Sequence, residues 1–299
     1  MKAHEFLLLR RIIKDQSGFN LGPDKQDMLE ARLRPLLKDY GHPSIAHFTL
    51  AALKPDAYRL RARLAQAASI QESYFFRDKV PFHYFIDAML PRLMARRQSS
   101  RHVRIWCAAA ATGQEPYSLA IEVAEREAQL QGWTFEIIAT DFVEEALEKA
   151  RQGVYSQFEV QRGLPVSLLV KYFKKIEKGW EIRADIRRRV AFATHNLLHD
   201  CRELGRFDII FCRNVLLYLD DEVKRAVLAR LAAQLAPDGY LVLGAAETTT
   251  GASLDFAPVP ERHHGIFCFT PAARAREEAR RLRAETSSAS FLQAYAASR

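Results

Sequence analysis

The chain has 299 residues, 48% hydrophobic and 27% charged, which suits about two globular domains with ample core material. No apolar run approaches the ~18 residues of a membrane-spanning helix, and the opening "MKAHEFLLLRRIIKDQ" meets charge too early for a signal peptide. The net charge of +8 favours an acidic partner or a solvated basic surface, while four cysteines without CxxC spacing and nine histidines without HExxH spacing leave no metal site and suit buried thiols in a reducing, cytoplasmic setting.

Residues 1–75 are expected to form an all-helical domain. "HEFLLLRRIIKD" has an apolar side. "PDKQDMLEARLRPLLKDYG" opens with Pro23 and Asp24 and stops before Gly41, with Met28, Leu29, Leu33, Leu36 and Leu37 at helical spacing. Pro35 is a candidate kink. "PSIAHFTLAALK" and "DAYRLRARLAQAAS" are two further helices. Residues 1–80 carry 14 Lys/Arg against 9 Asp/Glu, and Arg32, Arg34 and Lys38 project from the polar side of the second helix.

A linker and connecting helix over 76–99 lead to an α/β domain over 100–272. "VRIWCAAA", "WTFEIIATD", "RVAFATHNLL", "FDIIFCRNVL", "GYLVLGAAE" and "GIFCFTP" are strands, with helices at "EPYSLAIEVAEREAQL", "VEEALEKARQ" and "DDEVKRAVLARLAAQLA". This alternation predicts a mostly parallel, Rossmann-like sheet covered by helices, with ligands beyond the carboxyl ends of its strands. Residues 154–186 interrupt the rhythm as an inserted β-subdomain with a hairpin turn at Lys178-Gly179. Residues 273–299 form a helical or frayed tail.

The turn "WCAAAATGQEPYSLA" follows the first strand. A pyrophosphate-binding turn needs several glycines for close approach, and this one has only Gly113. The small side chains from Ala108 to Ala111 and the freedom of Gly113 suit an adenosyl ligand without phosphates. Asp141, which ends the second strand 28 residues after Gly113, can accept both ribose hydroxyls; alternatively, it caps the helix that follows. Together these features point to S-adenosylmethionine.

The pieces "QESYFFRD" (71–78), "TGQEPYSLA" (112–120), "ATDFVEEALEKARQGVY" (139–155), "HNLL" (195–198) and "FDIIFCRNVLLYLD" (207–220) resemble, in order, the chemotaxis protein methyltransferases, which methylate receptor glutamates with S-adenosylmethionine. The resemblance implies a methyltransferase domain with a small inserted β-subdomain behind a helical domain. It assigns cofactor binding to Gln71, Ser73, Arg77, Glu115, Asn196, Leu197, Arg213 and Asn214, and places Tyr218 near the transferred methyl group. Arg77 and Tyr218 are the candidate catalytic residues, and the Asn196 amide is a candidate adenine contact. Glu115 alternatively serves the helix dipole, and Phe75 and Phe76 are core candidates. The sequence departs from the family at Gln71 and Ser73, usually Asn and Thr, at Ala111, commonly Ser, and at Gln114, where Glu is frequent.

The implied partner is the glutamate-rich cytoplasmic domain of methyl-accepting chemotaxis receptors, with Arg32, Arg34 and Lys38 as a docking face. The short loop "KKIEKGWEIR" with its single glycine predicts no strong binding of a receptor pentapeptide. The alternatives are a non-catalytic S-adenosylmethionine-binding signalling module and a nucleic-acid methyltransferase; against the latter, no "NPPY"-like strand end appears.

Overall fold

The computed structural model describes residues 1–261, 264–280 and 283. Four helices, α1 (Ala3–Ser17), α2 (Gln26–Asp39), α3 (Ile45–Ala52) and α4 (Tyr58–Ala68), pack around a core that includes Phe6, Leu9, Ile13, Leu29, Leu33, Phe48 and Leu64. Helix α2 runs through Pro35, which is exposed and adds no crowding toward the core. Helix α1 ends at Gly18, whose φ of +76° gives a left-handed C-cap and returns its N–H to the Lys14 carbonyl.

The chain then crosses 69–79 in extended and turn conformations, and forms α5 (Val80–Tyr84), a π turn (Phe85–Met89) and α6 (Leu90–Arg96). Arg97 fixes the end of this connection to the sheet domain with bonds of 2.8 Å to Asp208 and 2.7 Å to Asp238.

The α/β domain follows as β1 (His102–Ala108), α7 (Gln114–Glu125), β2 (Thr134–Asp141), α8 (Glu144–Gln152), β3 (Val154–Tyr155), α9 (Gln157–Gln161), α10 (Val166–Tyr172), β4 (Phe173–Ile176), β5 (Gly179–Ile182), α11 (Ala184–Arg187), β6 (Val190–Thr194), β7 (Phe207–Phe211), α12 (Asp221–Gln234), β8 (Leu235–Val242), β9 (Phe256–Pro258) and β10 (Ile266–Phe269). The main sheet has the order β6-β2-β1-β7-β8-β10-β9. Its first five strands are parallel; β10 then pairs antiparallel with β8, and β9 antiparallel with β10. The central strands bury both faces, which explains their nearly continuous apolar runs. One face packs Ile105, Tyr117, Ile137 and Ile209 against the connecting helices; the other packs Trp106, Ile210, Leu228 and Leu241 under α12. Phe75 and Phe76 belong to the first of these cores.

Strand order reverses between β1 and β7, so the loops leaving these strands diverge and open a crevice at their carboxyl ends. The segment between α8 and β6 makes a separate sheet, β3-β5-β4, mixed with short helices because Ser156 and Glu159 form a capping box that starts α9. Its hairpin turn is Glu177-Lys178, and Gly179 already belongs to β5. The tail is helical from 271 to 280 and packs Ala273 into the second core; 281–282 and 284–299 lie outside the described residues.

Candidate active site

Three segments meet over the crevice: the linker 70–77, the turn after β1 and the loop after β7. They enclose a cavity lined by Gln71, Ser73, Arg77, Ala109–Ala111, Glu115, Asp141, Arg213, Asn214 and Tyr218. A second cavity adjoins it, lined by Phe142, His195, Asn196, Leu197 and Leu198, and sharing Phe19, Ala109, Asp141 and Val215 with the first.

Asp141 is the hinge of the arrangement. Its buried carboxylate accepts the Ala111 N–H at 2.9 Å and the Val143 N–H at 2.9 Å, tying the β1 turn to the end of β2. Helix α8 begins at Glu144 without a side-chain cap, so Asp141 holds the crevice rather than capping that helix. Burial pushes its carboxyl above the usual aspartate range against these backbone donors.

The turn itself is strained. Ala109 and Ala111 sit at φ +63° and +49°, a region that disfavours residues with a Cβ by about 1–2 kcal/mol each. Phe76, Asp78 and Lys79 in the linker and Asn214 after β7 share this conformation. Four of the seven non-glycine residues at positive φ among the described residues therefore fall in the three segments that meet here, and Asp78 and Lys79 directly follow the first of them, as expected of a preorganised site. Behind the turn, Tyr155 donates to the Thr112 carbonyl at 2.8 Å.

Two expectations from the sequence need correction at this turn. Ala108 is fully buried inside β1 and lines neither cavity. Gly113 faces away from the crevice: a Cβ there would come within 2.8 Å of the Ala150 Cβ, so its smallness serves the packing of α7 against α8. Gly113 does use its backbone freedom, at φ +92°, and Ala109 and Ala111 share that positive φ without being glycines.

Arg213 leaves the end of β7 and turns under the linker. It donates to Glu115 at 3.0 Å, to Asp78 at 2.6 Å and to the Arg77 carbonyl at 2.8 Å. It thereby pins the linker to the sheet. Burial raises the Glu115 carboxyl above its ordinary range, and Arg213 opposes that rise. Arg77 remains half-exposed at the cavity, with its guanidinium 5.3 Å from the Tyr74 ring centroid and donating to the Glu72 carbonyl. Tyr218 stands on a short 3-10 turn, Leu216–Tyr218, edge-on to Phe19 with centroids 5.8 Å apart.

Asn196 lines the second cavity, and its side chain also bonds outside it. Its Nδ2 donates to the Gln16 carbonyl at 2.8 Å and its Oδ1 accepts the Leu198 N–H at 3.0 Å. This amide thus braces α1 against the 195–198 loop, with one Nδ2 hydrogen and one Oδ1 lone pair not used by these two bonds. Leu197 contributes an apolar wall. Arg32 is corrected as well: it folds back onto the carbonyls of Ala67, Ala68 and Ser69 and caps the end of α4, while Arg34 and Lys38 stay exposed.

Among the described residues five buried side-chain polar atoms have no partner, and three of them belong to this cavity: Gln71 Oε1, Arg213 Nε and Asn214 Oδ1. Two acceptors and one cationic donor suit the ammonium and carboxylate of an amino-acid ligand, and Asp141 suits a vicinal diol. The residues present therefore fit S-adenosylmethionine. By contrast, a wider groove of about 810 Å³ beyond β8 lacks such convergence; its one carboxylate, Glu247, is already turned onto backbone donors.

Sequence reasoning missed Phe19 and Glu247. Glu247 accepts the N–H groups of Gly244, Asn214, Val215 and Leu217 at 2.6, 2.7, 2.8 and 3.2 Å, and so holds the loop that carries Asn214 and Tyr218. A lone acid closing the apolar run "GYLVLGAAE" was its only local signal.

Residues 4–67 match the family described as "CheR methyltransferase, all-alpha domain", and residues 71–264 match "CheR methyltransferase, SAM binding domain". The chain is similar to the "Chemotaxis protein methyltransferase" of Vibrio parahaemolyticus, 35% identical over 85% of this chain and 93% of the relative. It is also similar to the "Chemotaxis protein methyltransferase 1" of Pseudomonas aeruginosa, 37% identical over 81% of this chain and 89% of the relative. A further relative, "Chemotaxis protein methyltransferase 1" of Vibrio cholerae, is 35% identical over 83% of this chain and 90% of its own length.

Proposed function

The chain belongs to the CheR methyltransferase family and is an S-adenosylmethionine-dependent methyltransferase, and from that premise we propose that it methylates glutamate side chains of chemoreceptors. The observation that carries the site assignment is the convergence of unpartnered Gln71, Arg213 and Asn214 atoms on a cavity closed by Asp141. Gln71, Ser73, Glu115, Asp141, Arg213 and Asn214 would hold the cofactor, Glu115 chiefly through its pairing with Arg213.

When bound, S-adenosylmethionine supplies an activated methyl group, which a carboxylate oxygen can take by in-line displacement to give a methyl ester and S-adenosylhomocysteine. A glutamate side chain, with a reference pKa of about 4.3, is already ionised at neutral pH. The site therefore has no need of a general base, and its residues position and desolvate. The half-exposed Arg77 guanidinium can receive the incoming carboxylate through paired N–H groups. Tyr218, packed against Phe19, narrows the same wall. Arg34 and Lys38 supply positive charge for a glutamate-rich helix.

The test is transfer of a labelled methyl group to receptor-containing membranes as an alkali-labile ester. Absence of label, or label that resists alkali, would overturn the proposal. If Arg77→Ala and Tyr218→Phe both kept wild-type transfer, their assignment would fail.

A further inference from the structure

The two cavities that share Asp141 divide the cofactor between them. Gln71, Arg213 and Asn214 in the first suit its amino-acid end, and Asp141 at the junction suits its ribose, so the adenine base falls to the second. Phe142, Leu197, Leu198 and Val215 give that second cavity apolar walls for a flat ring. A purine also carries hydrogen-bonding nitrogens, which need partners once buried.

Among the described residues, four polar side chains line the second cavity: Ser17, Asp141, His195 and Asn196. Ser17 Oγ already donates to the Ile13 carbonyl and accepts the Phe19 N–H, and the Asp141 carboxylate accepts the Ala111 and Val143 N–H groups. Asn196 keeps one hydrogen and one lone pair. His195 Nε2 is buried with no partner at all. Its position is fixed, because the His195 N–H donates to the Asp141 carbonyl at 3.0 Å and the ring lies edge-on to Trp106, centroids 6.1 Å apart. Trp106 does not serve it, since the indole Nε1 donates to Thr140 at 2.9 Å. Burial and the nearby His199 hold the imidazole below its ordinary range, so the ring is neutral at pH 7. A neutral imidazole presents Nε2 as either donor or acceptor, and the six-membered edge of adenine matches both, with N1 as acceptor and the N6 amino group as donor.

We propose that His195 is a base-reading residue: its Nε2 bonds N1 or the N6 amino group of the cofactor's adenine and so sets which base the site accepts. A base without that group leaves the buried nitrogen unpaired, which is where discrimination arises. The inference rests on the cavity being the cofactor site.

The experiment is calorimetric titration of the full chain with S-adenosylhomocysteine and two analogues, one lacking the N6 amino group and one with carbon in place of N1. The wild type is expected to bind one of the analogues about tenfold more weakly than S-adenosylhomocysteine. His195→Leu, which keeps bulk but removes the nitrogen, is expected to lose about tenfold for S-adenosylhomocysteine and to bind that same analogue with no further loss. His195→Gln, which restores a hydrogen-bonding group, is expected to recover part of the affinity. An equal loss for all three ligands in His195→Leu would reduce the ring to packing and overturn the inference. Equal affinity of the wild type for all three overturns it without any variant, so the test stands even if His195→Leu does not fold. No binding of S-adenosylhomocysteine by the wild type overturns the cavity assignment with it.

Discussion

Glu247→Gln changes one atom of a buried carboxylate and leaves its shape. The two oxygens accept four backbone N–H groups, two each. Whichever way the amide turns, its NH2 faces two N–H donors and two charge-assisted bonds are lost. Bonds to a charged group are worth about 1.5–3 kcal/mol each, so the local loss is about 3–6 kcal/mol. Asn214, held at φ +60°, then has reason to relax out of the left-handed region, carrying the loop toward Tyr218 with it. At 2–4 °C per kcal/mol, the lower figure corresponds to a fall in Tm of roughly 6–12 °C, less whatever local opening absorbs. Differential scanning calorimetry with and without S-adenosylhomocysteine, and methyl-transfer rates, are the measurements. The expected pattern is a lower Tm, weaker ligand binding and a loss of transfer of at least tenfold. A Tm within about 2 °C of wild type together with unchanged affinity would refute the reasoning, since four short bonds cannot be both real and idle.

Cofactor binding should weaken on acidification from a higher pH than a free aspartate would give, because burial raises the folded Asp141 pKa; the charged acceptor is lost as pH falls through that value. Asp141→Asn should weaken S-adenosylhomocysteine binding at pH 7 and flatten that acid limb in a calorimetric pH series; an unchanged limb would assign it to another group. Arg34→Glu with Lys38→Glu should reduce receptor methylation, while cofactor affinity and stability stay within about 0.5 kcal/mol of wild type. Arg32→Glu should instead lower the melting temperature, since it removes the donor shared by the Ala67, Ala68 and Ser69 carbonyls. Titration with a receptor C-terminal pentapeptide should give no micromolar binding; its detection would overturn the expectation drawn from the short 174–183 loop.

Local pattern carried the fold far. Helical spacing of Leu29, Leu33 and Leu36 put those residues in the N-terminal core, and continuous apolar runs around Trp106 and Ile210 became central parallel strands, because burial on one face or two is written directly into periodicity. The site was legible where its residues sit at strand ends in sequence-local motifs: Asp141, Glu115, Arg213, Asn214 and Tyr218 all reach one crevice. The short strand β9 was not anticipated, since three residues carry too little period.

What the sequence determined by itself was therefore the order of elements, the crevice at the strand ends and the chemistry of a phosphate-free adenosyl site. What tertiary structure alone decided was the direction of side chains whose partners lie far along the chain. Arg32 turns to carbonyls 35–37 residues away, Asn196 to Gln16, Glu247 to a loop some 30 residues earlier, and Phe19 to Tyr218. Hydrogen-bonding groups go to whichever donor or acceptor burial brings near, and that neighbour is fixed by tertiary packing, within a domain or between the two, rather than by local spacing. The same holds for the alanine turn: its small residues are visible in the sequence, but only its seat against Asp141 and Tyr155 sets Ala109 and Ala111 at positive φ.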